Sequence, residues 1–316
     1  MREHDFEDFH DQPANRKSRR RRFDDEPAPA RAGRLTEAER ARLARLREDA
    51  YAETTIPGGG DRWSTWDDAT RGPLPRPDWV LTELTAVDTE LGVLKTGKEA
   101  DVHLVRRGLP DGSREALLAA KRYRSDEHRL FHRDAGYLEG RRVRRSREMR
   151  AMESRSAFGR NLIAEQWAAA EFSALSRLWM AGAPVPYPVQ QHGTELLLEF
   201  LGDAEGAAAP RLAQLRPEPG ELRELWLQMT LALELLAGQG LAHGDLSAYN
   251  LLVHEGRIIV IDLPQVVDVV ANPGGLAFLA RDVRNIAGWF HGRGLDERVT
   301  DPESLIADLR EVAGLP

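Results

Sequence analysis

The run Leu241-Ala242-His243-Gly244-Asp245-Leu246-Ser247-Ala248-Tyr249-Asn250-Leu251-Leu252-Val253, with Ile258-Ile259-Val260-Ile261-Asp262 close behind it, constrains this chain more than any other stretch. Leu251 to Val253 and Ile258 to Ile261 read as two short strands, and His254-Glu255-Gly256-Arg257 reads as the turn between them. An antiparallel hairpin returns to its starting point, so Asn250 and Asp262 are expected side by side at its open end. An amide and a carboxylate there suit a hard cation such as Mg²⁺, which takes oxygen ligands and keeps several waters or substrate phosphates. Asp245 is left as a third oxygen group nearby. In a phosphoryl-transfer arrangement its part is to accept the proton of the attacking hydroxyl. Either residue alone reads equally well as a turn cap, and it is the whole spacing H-x-D-x-x-x-x-N, hairpin, I-D that points to chemistry.

Upstream, Leu91 to Glu99 contains G-x-x-x-x-G-K, nearly a P-loop. Glu99 stands where a P-loop needs a hydroxyl for its metal, and Asp101-Val102-His103-Leu104-Val105 alternates like a strand where a P-loop needs a helix. Strand, glycine turn and strand is instead the arrangement that covers nucleotide phosphates in a kinase-like small lobe. The apolar run Ala116 to Ala120 ends in Lys121, a buried-looking cation that needs an anion. On the helix expected over 161–181, Trp167, Glu171, Leu175 and Leu178 share one face, so Glu171 is a carboxylate on an apolar stripe and the candidate partner. Glu195 to Gly202 reads as the last small-lobe strand running into a connector against which adenine would sit. Helices are expected over 221–238, 276–290 and 302–312, the first as the core of a second lobe.

Around this lies material of a different kind. Residues 1–77 read as a mostly disordered tail, with a basic cluster at 16–22, a possible capped helix over 36–50 and a Gly/Pro linker, so that the folded domain begins near Asp78. Residues 122–160 are rich in arginine and read as an insertion. The basic segments 16–22 and 141–150 are candidate contacts for RNA or an acidic partner, although the net charge of −7 argues against a nucleic-acid binder as a whole. There is no cysteine, which excludes disulfides and thiolate metal sites and favours a cytoplasmic location. No apolar run approaches a membrane span. Arginine has displaced lysine almost everywhere, which makes the survivors Lys17, Lys95, Lys98 and Lys121 informative.

From about Leu81 onward the chain resembles the RIO family of atypical serine/threonine protein kinases, and its first subfamily in particular. The resemblance rests on Thr96-Gly97-Lys98-Glu99-Ala100-Asp101-Val102, Leu198-Glu199-Phe200-Leu201-Gly202, Ala209-Pro210-Arg211-Leu212, His243 to Asn250, and Ile261-Asp262-Leu263-Pro264-Gln265. It implies an α+β, two-lobed, reduced protein-kinase-like fold, with a β-rich small lobe over 78–201 and a mainly helical lobe over 202–316. It also implies ATP and Mg²⁺ (or Mn²⁺) as cofactors, Asp245 as catalytic base, and Asn250 and Asp262 as metal ligands. Lys121, Glu171, Thr96, Gly97, Lys98, Glu99, Ala100, Val102, Glu199 and Leu201 would be nucleotide-binding residues. The implied activity is serine kinase or ATPase, on a protein substrate or on the chain itself. Pro264 replaces the glycine of D-F-G, no Arg precedes Asp245, and Lys95 stands where Ser is common in the family. Two other functions share part of this pattern: a small-molecule phosphotransferase of aminoglycoside-kinase type, and a nucleotide-gated binding module on ribosomal particles.

Overall fold

In this computed structural model the described residues are 56, 59–124 and 157–315, and they belong to one compact unit. The possible helix at 36–50, both basic segments and most of the arginine-rich insertion lie outside the described residues. A seven-stranded antiparallel sheet forms the small lobe. Its strands are β1 (Arg62–Trp63), β2 (Thr70–Arg71), β3 (Val87–Thr96), β4 (Ala100–Gly108), β5 (Glu115–Tyr123), β6 (Pro188–His192) and β7 (Glu195–Glu199), in the order β1-β3-β4-β5-β7-β6-β2. Between β5 and β6 comes helix α1 (Ala157–Met180). The second lobe carries α2 (Pro219–Gly238), a two-stranded pair of β8 (Leu241–Ala242) with β11 (Val267–Asp268), a hairpin of β9 (Leu251–His254) with β10 (Arg257–Val260), and the closing helices α3 (Gly275–Gly292) and α4 (Pro302–Val312).

The sheet is covered on both faces, which is why β5 reads E-A-L-L-A-A-K without clean alternation. On the inner face, Ala100, Tyr123, Leu196 and Leu198 pack with Ala164, Ala168, Phe172 and Leu175 of α1 and continue into the core of the helical lobe. On the outer face, Val105, Leu118, Ala120 and Leu197 are sealed by Trp66, Val80, Tyr187 and Val189. Two of these seals come from a strap, residues 59–81, laid across the back of the sheet. Trp66 is 4% exposed and is flanked by the guanidinium groups of Arg71 and Arg76, 5.3 and 5.2 Å from its ring centre. The expected start of the folded part near Asp78 is therefore corrected. Strands β1 and β2 pair with β3 and β6, and the proline-rich stretch runs between them and Asp78 as part of the strap. Two-residue strands carry no readable periodicity, and prolines are compatible with such an edge.

The hairpin expected from Leu251 and Ile258 is present with a tighter turn. Arg257 pairs with His254 and Val260 with Leu251, leaving only Glu255 and Gly256 to turn, at φ of 51° and 72°. Positive φ at both central residues matches the strand twist. The last small-lobe strand stops at Glu199, and Phe200–Gly202 begins the connector.

Candidate active site

A cavity of about 640 Å³ separates the sheet from the helical lobe. Its roof is the β3–β4 hairpin. The turn closes with the Gly97 N–H donating to the Ala100 carbonyl at 3.0 Å, and a Cβ on Gly97 would stand 2.7 Å from that same oxygen. Glycine is thus required by a close backbone approach. Gly97, Lys98, Glu99, Ala100 and Val102 line the roof, with Leu94 and Lys95 before them. Thr96 is not among the lining residues, because alternation along β3 turns it to the other face when Lys95 faces in. The connector closes the back of the cavity with Glu199, Phe200 and Leu201. Glu199 is tied to Tyr187 twice, its carboxylate accepting the Tyr187 N–H and its own N–H donating to the Tyr187 carbonyl, both at 2.9 Å, so its carbonyl is what remains for a ligand.

At the inner end the Lys121 ammonium donates to Glu171 at 2.7 Å and to Asp262 at 2.8 Å. Burial opposes the lysine charge, but the two carboxylates outweigh it and hold the ammonium above its ordinary range. Asp262 is likewise disfavoured by burial and then held below the ordinary carboxylate range by Lys121. Glu171 does more than balance Lys121. It accepts the Tyr123 hydroxyl, and its Oε1 accepts the Leu263 N–H at 3.0 Å, which fastens the residue following Asp262 to α1. Tyr123 was no candidate from sequence; its signal is alternation on β5, two residues beyond Lys121 and so on the same face.

Asp245, Asn250 and Asp262 line the same cavity. The Asn250 carbonyl accepts the Ile261 N–H at 3.0 Å, so the residue before Asp262 is bonded to Asn250 across the open end of the hairpin. Asn250 Nδ2 donates to the Asp245 carbonyl at 2.9 Å, and among the described residues neither Asn250 Oδ1 nor Asp262 Oδ2 makes a hydrogen bond. Asp262 adopts φ of 66°, the left-handed region, which turns its side chain back toward Lys121. Behind them, Asp282 of α3 is 2% exposed and receives the N–H groups of Gly244 at 2.7 Å and Leu246 at 3.1 Å. Burial pushes its carboxyl up against those two hydrogen bonds. Arg281 donates to the Gly244 carbonyl. Asp282 could have been suspected from sequence as a carboxylate on the apolar face of Leu279, Val283 and Ile286.

A sequence model of the RIO domain matches residues 118–304. The chain is 33% identical over 235 residues to the RIO-type serine/threonine-protein kinase Rio1 of Haloferax volcanii, covering 74% of this chain and 72% of that one. The chain belongs to the RIO family. Further relatives are the serine/threonine-protein kinase rio1 of Schizosaccharomyces pombe, 32% identical over 230 residues, and human serine/threonine-protein kinase RIO3, 29% identical over 224. They match 68% and 69% of this RIO chain, which spans 41% of the length of each. The Rio2 kinase of Chaetomium thermophilum, a solved structure, shares 20% identity at a TM-score of 0.46, over 71% of this chain and 68% of that one. As a RIO protein the chain is an atypical protein kinase, built on the reduced two-lobed kinase-like fold. None of its described helices is long and apolar enough to cross a membrane.

Proposed function

We propose that the cleft binds ATP with Mg²⁺, for which Mn²⁺ would substitute, and passes the γ-phosphoryl group to a serine hydroxyl of a protein, to the chain itself, or to water. The observation that carries this reading is the meeting of Lys121, Glu171 and Asp262 in one cavity with Asp245 and Asn250. Asp245 is the base: it takes the hydroxyl proton as that oxygen bonds to phosphorus and the bond to the departing ADP oxygen breaks. Lys121, fixed by Glu171, orients the phosphates. The backbone of Glu199 to Leu201 faces the adenine. Asn250 Oδ1 and Asp262 Oδ2 fit a hard cation that keeps waters and phosphate oxygens, and among the described residues no cluster of three or more His, Cys, Asp or Glu offers a closed cage. The bound cation would neutralise phosphate charge on the substrate and product.

Only residues 263–274 lie between Asp262 and α3, with β11 inside them, which leaves no long activation segment on which a peptide would dock. Recognition of the acceptor therefore falls to other surfaces. The basic segments 16–22 and 141–150 are where contact with RNA or a ribosomal particle is to be sought, and the cysteine-free composition suits the cytoplasm. Incubation of the purified chain with labelled ATP and Mg²⁺, separating labelled protein from released phosphate, is the test. Turnover that disappears in Asp245→Asn at an unchanged melting temperature is expected. Undiminished turnover in that variant would remove Asp245 from the role of base.

A further inference from the structure

Lys121 cannot serve the phosphate tail of a nucleotide alone. Its one positive charge already meets two carboxylates, so the Lys121–Glu171–Asp262 group carries a net charge of −1, with Asp245 adding another. The cation accompanying a triphosphate would offset that charge, and any further positive charge on the phosphate tail comes from elsewhere on the chain. The strand register shows one source. Lys95 lies directly opposite Val102, and Val102 directly opposite Lys121, so the three stand in one cross-strand row on the cavity face. At a strand spacing of about 4.8 Å, the backbone of Lys95 lies about 10 Å from that of Lys121 along the roof. No hydrogen bond or ion pair engages its ammonium among the described residues.

The floor supplies a second source. Arg211, on the loop after the connector, lines the cavity and bridges to Leu252 of the hairpin. One arm of its guanidinium donates to the carbonyl of Tyr249, the residue before Asn250, and the remaining N–H groups are unengaged among the described residues. The fork is thereby held beside the catalytic loop with donors to spare. Burial lowers the Lys95 pKa, Asp262 opposes that, and the positive charges of Arg211 and Lys121 add to the lowering. Two like charges facing one space are held at a disadvantage that an anion between them would relieve.

We propose that Lys95 and Arg211 form a cross-cleft clamp for the β- and γ-phosphates of the nucleotide, one cation from each lobe, separate from the Lys121–Glu171 pair. This rests on the nucleotide reading of the cleft given above. The clamp would make the chain bind a triphosphate more tightly than a monophosphate. A guanidinium or ammonium hydrogen-bonded to phosphate contributes enough to change affinity about tenfold.

The experiment is competition of ATP, ADP and AMP against a fluorescent adenine nucleotide on the full-length chain, wild type beside Lys95→Ala, Lys95→Arg, Arg211→Ala and Arg211→Lys, each checked by its melting temperature. Expected is a roughly tenfold loss of ATP affinity in each alanine variant, AMP affinity within about twofold of wild type, and recovery of most of the ATP loss in Lys95→Arg. Equal losses for ATP and AMP would mean that the two side chains merely shape the cavity, and the clamp would be overturned. Unchanged ATP affinity in both alanine variants would overturn it as well. Wild-type protein that binds no adenine nucleotide at all would instead defeat the nucleotide reading, and the clamp with it.

Discussion

Gly244 shows how tightly single residues are specified around Asp245. Its φ is 85°, and a Cβ there would stand 2.2 Å from the Gln265 carbonyl, so the backbone of the catalytic loop and that of the segment after Asp262 pass in direct contact. Asp282 then fixes the loop from below through two backbone N–H groups. Gly244→Ala should therefore lower turnover about a hundredfold or more, since a displacement near 1 Å at the base is enough for that. Asp282→Ala should destabilise the chain by about 3 kcal/mol, because two buried N–H groups lose their acceptor. Urea unfolding and steady-state turnover measured on both variants check this, and wild-type turnover in Gly244→Ala would show that the loop tolerates the shift. Glu171 is the other over-committed residue, serving Lys121, Tyr123 and Leu263 at once. Lys121→Ala and Glu171→Ala should each reduce turnover strongly, and the double variant should be little worse than either, as for residues that act as one unit. A double variant showing the product of the two losses would place them in separate roles.

At the scale of elements, what was legible in the sequence depended on periodicity. α2 and α4, the strands around Lys121 and the catalytic hairpin all carry spacing that survives in the structure, and the residues that meet in the cavity are those whose strand or helix position could be counted. Lys95 drew notice as one of four surviving lysines and as a departure from a familiar pattern, but its pairing with Arg211 was not legible, because Arg211 lies more than a hundred residues away and on the other side of the cavity. The strap was illegible for a different reason: it contributes through isolated contacts. Gln190 donates to Thr65 at 2.7 Å and accepts from Arg107 at 2.7 Å, while Arg107 holds Asp88 in two bonds of 2.7 and 3.0 Å, and Arg62 of β1 reaches Glu195 at 2.6 Å. Arg122 reaches the same carboxylate at 2.6 Å. Burial alone would raise Glu195, yet Arg62 and Arg122 outweigh burial and hold it below the ordinary carboxylate range. A lowered folded pKa means stability that is present above the unfolded value of about 4.3 and lost as pH falls through the lower folded value. Glu195→Gln should remove that acid limb and cost about 2 kcal/mol at neutral pH. Urea midpoints measured from pH 7 down to 3 test it: parallel profiles for wild type and variant would mean that Glu195 does not carry the dependence.

For the molecule as a whole, the consequence is that the strap belongs to the kinase fold although it lies on the far side of the sheet from the cleft. Trp66 and Val80 are buried on the outer face against Val105, Leu118, Ala120 and Leu197. The same sheet presents Lys121, Val102 and Lys95 on its inner face, so the rigidity of the row over the cavity depends on what covers its back. Removing a buried tryptophan typically costs about 3–5 kcal/mol. Loss of the entire strap would also expose the Arg107–Asp88 pair, whose side chains are 1% and 2% exposed and are positioned partly through Gln190 and Thr65. Two truncations separate the strap from the residues before it. A chain beginning at residue 56 keeps β1, β2 and Trp66 and should retain the unfolding midpoint and nucleotide affinity of the full-length protein. A chain beginning at residue 78 should unfold at markedly lower urea and bind nucleotide more weakly, despite an unaltered cavity lining, and Trp66→Ala in the full-length chain should reproduce most of the stability loss. Equal midpoints for the two truncations would return the strap to the status of a linker, and a loss already complete in the longer one would assign the stabilisation to residues before 56.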